Sequence, residues 1–293
     1  FNKKMIIVRL KGGLGNQLFQ YATARHLAHL NNSELFLDTS YFDFKADRPA
    51  WKYELGAFNI KAEIAEEQLL KDFHAGKYSG TEKLISKIVP FHKYKKYKYE
   101  GFGYNEQVLE LKGNYYLSGY FQSHKYFKPI TDILKEELTL KEEYIPKANE
   151  WLDDMKNKLS VAVHIRRCDY IRNLSSMEAH GLCSKDYYAK TIEFVKRELG
   201  EEVHFFLFTD DAEWVNREME WDINSTMVQG KSILSDFYMM SNCKHNIIAN
   251  STFSWWAAWL NPNPDKMIIV PKHWDNNVKT EEIDLCPTKW IIK

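Results

Sequence analysis

Short apolar runs alternate with segments of helical periodicity at both ends of this 293-residue chain. Near the N-terminus, residues 5–10 form an apolar run, residues 16–30 place apolar side chains at helical spacing, and residues 35–37 form a second run. Short continuous apolar runs are typical of strands buried on both faces of a parallel sheet. The pattern therefore predicts that the fold begins with a strand, a helix and a second, parallel strand.

A second and longer alternation begins near residue 155. Strands that alternate with helices imply parallel sheets wound by helices. We therefore predict an α/β protein with two Rossmann-like domains facing a cleft, residues 1–155 and 156–293. Residues 41–147 show no clear pattern beyond a strand near 115–117, and we assign them to the variable part of the first domain. The predicted elements of the second domain are strands at 161–165, 204–208, 246–249 and 267–270, and helices at 187–199, 234–242 and 253–260.

The overall composition excludes several classes of protein. With 44% hydrophobic and 27% charged residues, the chain is typical of a globular protein. The net charge of +0 argues against a nucleic-acid partner, so an anionic ligand needs a local cluster of basic residues. No apolar run approaches the roughly 20 residues that span a bilayer. We expect a soluble, cytoplasmic protein that becomes peripheral to the inner membrane if its substrate is lipid-linked.

Metal chemistry has little support in the sequence. The four cysteines, which include Cys168, lack the spacing of a zinc site, and no Asp-x-Asp triplet is present to bind a divalent cation. We therefore expect no metal and no cofactor. The charge of any phosphorylated ligand must then be met by protein donors.

Polar residues follow four of the predicted strands at their carboxyl ends, where open parallel sheets bind ligands. The first is the turn at residues 12–17, whose glycines allow the backbone to approach a phosphate. Two other interpretations stay open: a tight turn without a ligand, or a dinucleotide fingerprint in which Asp38 holds a ribose. The third fingerprint glycine is replaced by Leu18. The candidate ligand-binding residues are Gly13, Gly15, Asn16 and Gln17.

The second stretch, residues 164–170, carries consecutive charges directly after a buried strand. Period-2 alternation places His164 and Arg166 on one side and Arg167 on the other. Arg166 is the candidate diphosphate clamp, because a guanidinium matches two phosphate oxygens. Arg167 and Asp169 either contact the ligand or form a structural pair, and Asp169 is a weak candidate for a general base.

The third and fourth strands end in carboxylates and hydroxyls. Asp210 and Asp211 either bind a ribose, a base edge or a metal, or cap the helix that follows. Polar residues at 250–254 predict an anion nest, although capping alone explains one of them. The tryptophans at 255–259 are interpreted as helix core, with sugar stacking as the alternative. The candidate residues are Asp210, Asn250, Ser251, Thr252 and Ser254.

These four motifs, in this order, resemble the α-1,2-fucosyltransferases of glycosyltransferase family 11. The His-x-Arg-Arg-x-Asp segment is also similar to that of α-1,6- and protein O-fucosyltransferases. The resemblance implies a metal-independent, inverting, GT-B-like enzyme that moves L-fucose from GDP-β-L-fucose to the 2-hydroxyl of a galactoside. The first domain would then be mainly the acceptor side and the second would bind GDP-fucose. The motifs leave the acceptor glycan and the oligomeric state open.

The resemblance also implies roles for individual residues. Arg166 contacts the β-phosphate, His164 lies beside the donor, and Asn16 reaches the diphosphate from the other domain. Asp236 recognises guanine, while Ser251 and Thr252 donate to phosphate. Cys168 departs from the glycine that many relatives have. Two functions of other classes compete: a dinucleotide-dependent oxidoreductase and a non-catalytic sugar-nucleotide- or glycan-binding protein.

Overall fold

The computed structural model divides into two compact units, Phe1–Thr139 and Leu140–Lys293. The division falls earlier in the chain than the predicted boundary after residue 155. The reason is that helix Glu150–Asn157 packs against later elements, the strand Ser160–Ile165 and the helix Ile233–Asn242. Across the described residues, no helix is both long and apolar enough to cross a membrane. The structure describes residues 4–43, 51–72, 95–101, 103–147, 150–167, 181–219, 222–228, 230 and 232–293.

The first unit contains a five-stranded sheet in the order β3-β2-β1-β5-β4. All four strand pairings are parallel. The predicted opening of strand, helix and parallel strand is confirmed, and the Lys/Tyr-rich run becomes an edge strand. The elements are β1 Met5–Arg9, α1 Leu14–Asn31, β2 Glu34–Asp38, β3 Glu63–Ile64, α2 Glu67–Asp72, β4 Lys95–Tyr99, α3 Gln107–Glu110, β5 Tyr115–Gly119 and α4 Thr131–Glu137.

Helix α1 is buried on nearly all sides, including its polar positions Gln17 and Gln20. Strand β1 beside it is likewise buried along its centre. The helix ends at Asn32, whose left-handed backbone (φ 47°, ψ 53°) lets its N–H bond the last turn. Buried glutamines require hydrogen-bond partners, and both find them in the glycine turn or the segment next to it.

The second unit contains a six-stranded sheet in the order β13-β10-β9-β6-β7-β8, and every pairing is parallel. The predicted α/β class with parallel sheets is confirmed. Helix α7 and the short strand β8 were not predicted. The elements are α5 Glu150–Asn157, β6 Ser160–Ile165, α6 Lys185–Leu199, β7 His204–Thr209, α7 Ala212–Glu218, β8 Ser225–Met227, α8 Ile233–Asn242, β9 His245–Ile247, α9 Thr252–Leu260, β10 Ile268–Val270, β11 His273–Asp275, β12 Val278–Lys279 and β13 Ile291–Ile292.

The strand order of this second sheet determines where a ligand would bind. Read from β8, the sheet follows the Rossmann order 3-2-1-4-5-6, and the order reverses between β6 and β9. Ligands of such sheets bind beyond the carboxyl ends of the two strands at the reversal. Those ends are Ile165 and Ile247. In the first sheet the order reverses at β1, which lies between β2 and β5.

The tryptophans of α9 belong to the core of the second unit. Trp255 and Trp256 are fully buried, and the ring of Trp255 lies 5.1 Å from that of Trp290. Burial of such large rings strongly stabilises the unit. The interpretation of these residues as helix core is confirmed, and neither buried ring can stack on a sugar.

Candidate functional site

Arg166 and Ser251 meet where β6 and β9 end. Arg166 directly follows β6, and its Nη1 donates to the Ser251 hydroxyl at 3.0 Å. Ser251 is 2% exposed and precedes the first residue of α9, yet its side chain makes no capping bond with the helix. The hydroxyl therefore holds the guanidinium while the first N–H groups of α9 lie beside it. A guanidinium next to a helix N-terminus is suited to binding an anion.

The neighbouring polar residues support this junction from below. Asn250 is nearly buried, and its amide donates to Gly181 O (3.3 Å) and Trp274 O (3.4 Å). The Ser254 hydroxyl donates to Ser251 O at 3.3 Å and is 1% exposed. Both side chains hold main chain around the junction. Of the four hydroxyl and amide residues, Thr252 is the most open, at the first position of α9.

His164 lies two residues before the guanidinium on β6. Burial, assisted by the charge of Arg166, lowers the pKa of His164 to about 3. Its Nδ1 is buried without a hydrogen-bond partner among the described residues, and its ring lies 5.7 Å from that of Phe253. His164 is therefore neutral at pH 7 and adds no positive charge to the site.

Arg167 is held by the adjacent strand β7. Its main-chain N–H donates to Asp210 Oδ1 at 2.8 Å, and its Nε donates to Asp211 Oδ2 at 3.3 Å. The guanidinium carbon lies 3.7 Å from the ring centroid of Trp214. We call Arg167, Asp210, Asp211 and Trp214 the Arg167 cluster. It fixes the chain next to Arg166, and the proposed partner Asp169 lies outside the described residues together with Cys168.

Of the two interpretations of the Asp210–Asp211 pair, helix capping is found for Asp211. Its Oδ1 accepts from Trp214 N at 3.1 Å, at the start of α7. Asp210 binds the main chain of Arg167. The structure thus gives each carboxylate a role in joining the ends of β6 and β7.

Asp236 lies in the first turn of α8. Its Oδ1 is buried and accepts no hydrogen bond within the described part of the chain. Burial raises the pKa of this carboxyl to about 6. A methyl group at Gly230 would lie 1.4 Å from Oδ1, so the glycine leaves room for the carboxylate. The oxygen is available to accept a hydrogen bond from a ligand.

In the first unit, the glycine turn is tightly constrained. Gly12 has φ +77°, and a Cβ there would lie 2.7 Å from Asn16 Nδ2. A Cβ on Gly13 would lie 2.9 Å from the ring of Trp51. Asn16 Oδ1 accepts from Gln122 Nε2 at 2.8 Å, at the end of the neighbouring strand β5. The two glycines are therefore required by close packing, as a tight turn predicts.

Gln17 and Gly15 lie inside the first unit. Gln17 is fully buried, its Nε2 donates to Gly12 O (3.0 Å) and Lys52 O (2.7 Å), and its Oε1 accepts from Glu54 N (3.0 Å). Gly15 is buried in the first turn of α1. The geometry gives Gln17 the task of fixing the turn, and direct contacts of both residues with a ligand stay a prediction.

Asp38 is fully buried, which removes the ribose acid that a dinucleotide site needs. Its Oδ2 accepts from the hydroxyl of Tyr116 at 2.5 Å, and its Oδ1 accepts from Ser40 N at 2.9 Å. The carboxylate ties β2 to β5. The dinucleotide interpretation of the glycine turn is therefore wrong in its acidic residue.

Two contacts of the site were missed by the motif analysis. Trp214 stacks on Arg167, and Gln122 binds Asn16. Neither residue stands in a motif, and both are reached through pairing of distant strands. Only a signal of spatial proximity could have identified them.

Comparison with known proteins follows from this geometry. The model of the family described as Glycosyl transferase family 11 matches residues 2–292. The chain is 32% identical to an Alpha-1,2-colitosyltransferase of Escherichia coli, covering 98% of each chain. It is 34% identical to the O-antigen biosynthesis glycosyltransferase WbnK of Escherichia coli, covering 90% of this chain and 93% of that protein. A Galactoside 2-alpha-L-fucosyltransferase of Bos taurus is 25% identical over 86% of this chain and 63% of its own length.

Solved structures share the fold at low identity. The NodZ alpha-1,6-fucosyltransferase soaked with GDP-fucose matches with a TM-score of 0.50 and 15% identity, covering 89% of this chain and 94% of that one. An Arabidopsis thaliana FUT1 variant in complex with GDP matches with a TM-score of 0.52 and 10% identity, covering 96% and 73%. These likenesses support a GT-B-like fold.

Proposed function

Because the chain belongs to glycosyltransferase family 11, we propose that it transfers L-fucose from GDP-β-L-fucose to the 2-hydroxyl of a galactoside, with inversion. The observation that carries the donor is the contact of Arg166 with Ser251 at the reversal of the Rossmann sheet. That is where such sheets bind phosphorylated ligands. The named relative from Bos taurus supports the linkage and the acceptor.

The chemistry follows from the charge that develops as the donor breaks. Cleavage of the C1–O bond leaves positive charge on fucose and negative charge on the diphosphate. Donors already aimed at the phosphate oxygens stabilise that transition state more than the ground state. In this proposal Arg166, held by Ser251, meets the charge with no metal ion, and neutral His164 leaves the guanidinium without a competing cation.

The test of the donor site is Arg166→Lys, which keeps the charge and removes the guanidinium fork. We expect kcat with GDP-fucose to fall on the order of 100-fold. Arg197→Lys is the matched control, because Arg197 is exposed on α6 and pairs with its neighbour Glu198. Normal turnover by Arg166→Lys would contradict the assignment.

The acceptor hydroxyl must lose a proton, and we propose Asp169 as the base. The measurement is the pH–rate profile of Asp169→Asn. Loss of the acidic limb supports this role, while an unchanged limb removes Asp169 from the mechanism.

The relative named as a colitosyltransferase favours a second candidate, transfer of a colitosyl group by the same mechanism. Colitose is L-fucose without its 3-hydroxyl, so the two donors differ at one polar group. Initial rates with GDP-fucose and GDP-colitose, at equal concentrations and with lactose or N-acetyllactosamine, compare them directly. Linkage analysis of the product then tests the α-1,2 bond. Release of no GDP with either donor and any galactoside would favour a non-catalytic binding protein.

A further inference from the structure

A group of side chains at the carboxyl edge of the first sheet is not explained by donor binding. Lys11, Tyr120 and Glu100 follow the adjacent strands β1, β5 and β4. In the strand register, Tyr99 is opposite Gly119 and Val8 is opposite Leu117. The three residues therefore lie level with one another just beyond the sheet. We call Lys11, Glu100 and Tyr120 the Tyr120 surface.

The Tyr120 surface combines an aromatic ring with two charges. Lys11 Nζ lies 4.0 Å from the centroid of the Tyr120 ring, yet 42% of Tyr120 remains exposed. Burial lowers the pKa of Lys11, while the nearby carboxylate of Glu100 acts in the opposite direction. Glu100 also pairs with Lys98 at 2.6 Å. The charges are balanced, so the surface is suited to a neutral ligand with hydroxyl groups rather than to a phosphate.

The backbone that carries Tyr120 is held in an uncommon conformation. The next residue, Phe121, has φ +51°, in the left-handed region that non-glycine residues seldom adopt. Its ring is fully buried and stacks on Tyr99 at 6.4 Å, and a Cβ on Gly119 would lie 2.6 Å from Tyr99 O. Such strain persists where surrounding packing imposes it, and it concentrates at functional sites. Burying the Phe121 ring leaves Tyr120 on the outside.

The main chain below Lys11 is fixed as well. The fully buried side chain of Gln20 accepts from Lys11 N at 2.9 Å and donates to Lys11 O at 3.2 Å. Both polar groups of one peptide unit pair are thus satisfied by a single amide. The surface is therefore preorganised, which reduces the entropy lost on binding.

We propose that the Tyr120 surface is the subsite that binds the galactoside acceptor. The hydrogens on one side of a galactose ring form an apolar patch that stacks on an aromatic ring, and a carboxylate accepts from sugar hydroxyls. Tyr120 supplies the ring and Glu100 the carboxylate, and the reversal of strand order at β1 is the place where such a sheet binds ligands. The inference rests on the proposed transferase function.

The decisive variant is Tyr120→Ala, studied by initial rates with lactose and GDP-fucose each varied in turn. We expect the KM for lactose to rise roughly 10-fold, because one stacking contact is lost. The KM for GDP-fucose should stay within about twofold of the wild-type value, and Tyr120→Trp should restore the KM for lactose. Tyr144→Ala is the matched control, since Tyr144 is 44% exposed and belongs to the second unit.

An unchanged KM for lactose in Tyr120→Ala would overturn the inference, as would a parallel rise in the KM for GDP-fucose, which would indicate a nucleotide site. If the wild-type protein transfers no sugar, the proposed function fails and binding decides the subsite separately. Saturation-transfer NMR with lactose should then give a signal in the wild type that Tyr120→Ala loses. Equal signals in both proteins would refute the subsite.

Discussion

Replacing Asp211 with asparagine separates two contributions of its carboxylate. One oxygen caps α7 through Trp214 N, and the other accepts from Arg167 Nε at 3.3 Å. Asparagine caps a helix as well as aspartate does, whereas alanine does not. Asp211→Asn therefore removes the ion pair alone, and Asp211→Ala removes the pair and the cap.

The magnitudes follow from burial and distance. The side chains of Arg167 and Asp211 are 16% and 20% exposed, so the pair is better shielded than a surface ion pair. Its N–O distance is longer than the best charged hydrogen bonds, and we take about 1.5 kcal/mol, the low end of their range. The cap adds about 1 kcal/mol. At about 2–4 °C per kcal/mol for a unit of this size, Tm should fall about 3–6 °C in Asp211→Asn and about 5–10 °C in Asp211→Ala.

The assay is thermal unfolding followed by circular dichroism, combined with kcat/KM for GDP-fucose. Loosening Arg167 displaces the neighbouring Arg166, so we expect kcat/KM to fall about 10-fold in both variants. Glu213→Gln is the control, because it removes a first-turn charge from the same helix without touching Arg167. Equal Tm values for Asp211→Asn and the wild type would refute the stabilising pair, and unchanged kcat/KM would refute its role in positioning Arg166.

Three further changes test other parts of the site. Gly12→Ala places a Cβ at φ +77° against Asn16, so we expect a loss of about 1 kcal/mol or more in unfolding free energy, measured by urea denaturation. Gly230→Ala pushes the Asp236 carboxylate aside, and calorimetry should show weaker GDP-fucose binding with little change in Tm. Because the folded pKa of Asp236 is raised to about 6, the wild type should lose stability as pH rises from about 4 to about 6, whereas Asp236→Asn should not. If guanine binds the ionised carboxylate, GDP-fucose affinity should instead fall below about pH 6 in the wild type only, and a parallel fall in Asp236→Asn would contradict this.

The sequence by itself determined the local elements and the identity of the charged strand end. Apolar runs of strand length separated by helical segments can be buried only as parallel sheets covered by helices, so the α/β class followed from pattern alone. The ordered motifs also led to the family, because residues that bind a nucleotide sugar recur at fixed places along such a chain. Arg166 was identified in this way as the candidate phosphate ligand.

Tertiary structure decided what each polar side chain does, because hydrogen-bond partners come from strands distant in sequence. Asp38 and Gln17 looked like ligand contacts, yet burial turns one into a tie between strands and the other into a support of the glycine turn. Arg167 finds its acid on β7, forty-four residues away. The Tyr120 surface follows from the register of three parallel strands, which no local pattern encodes. Spacing along the chain selects the candidates, and the free energy of satisfying buried polar groups assigns their roles.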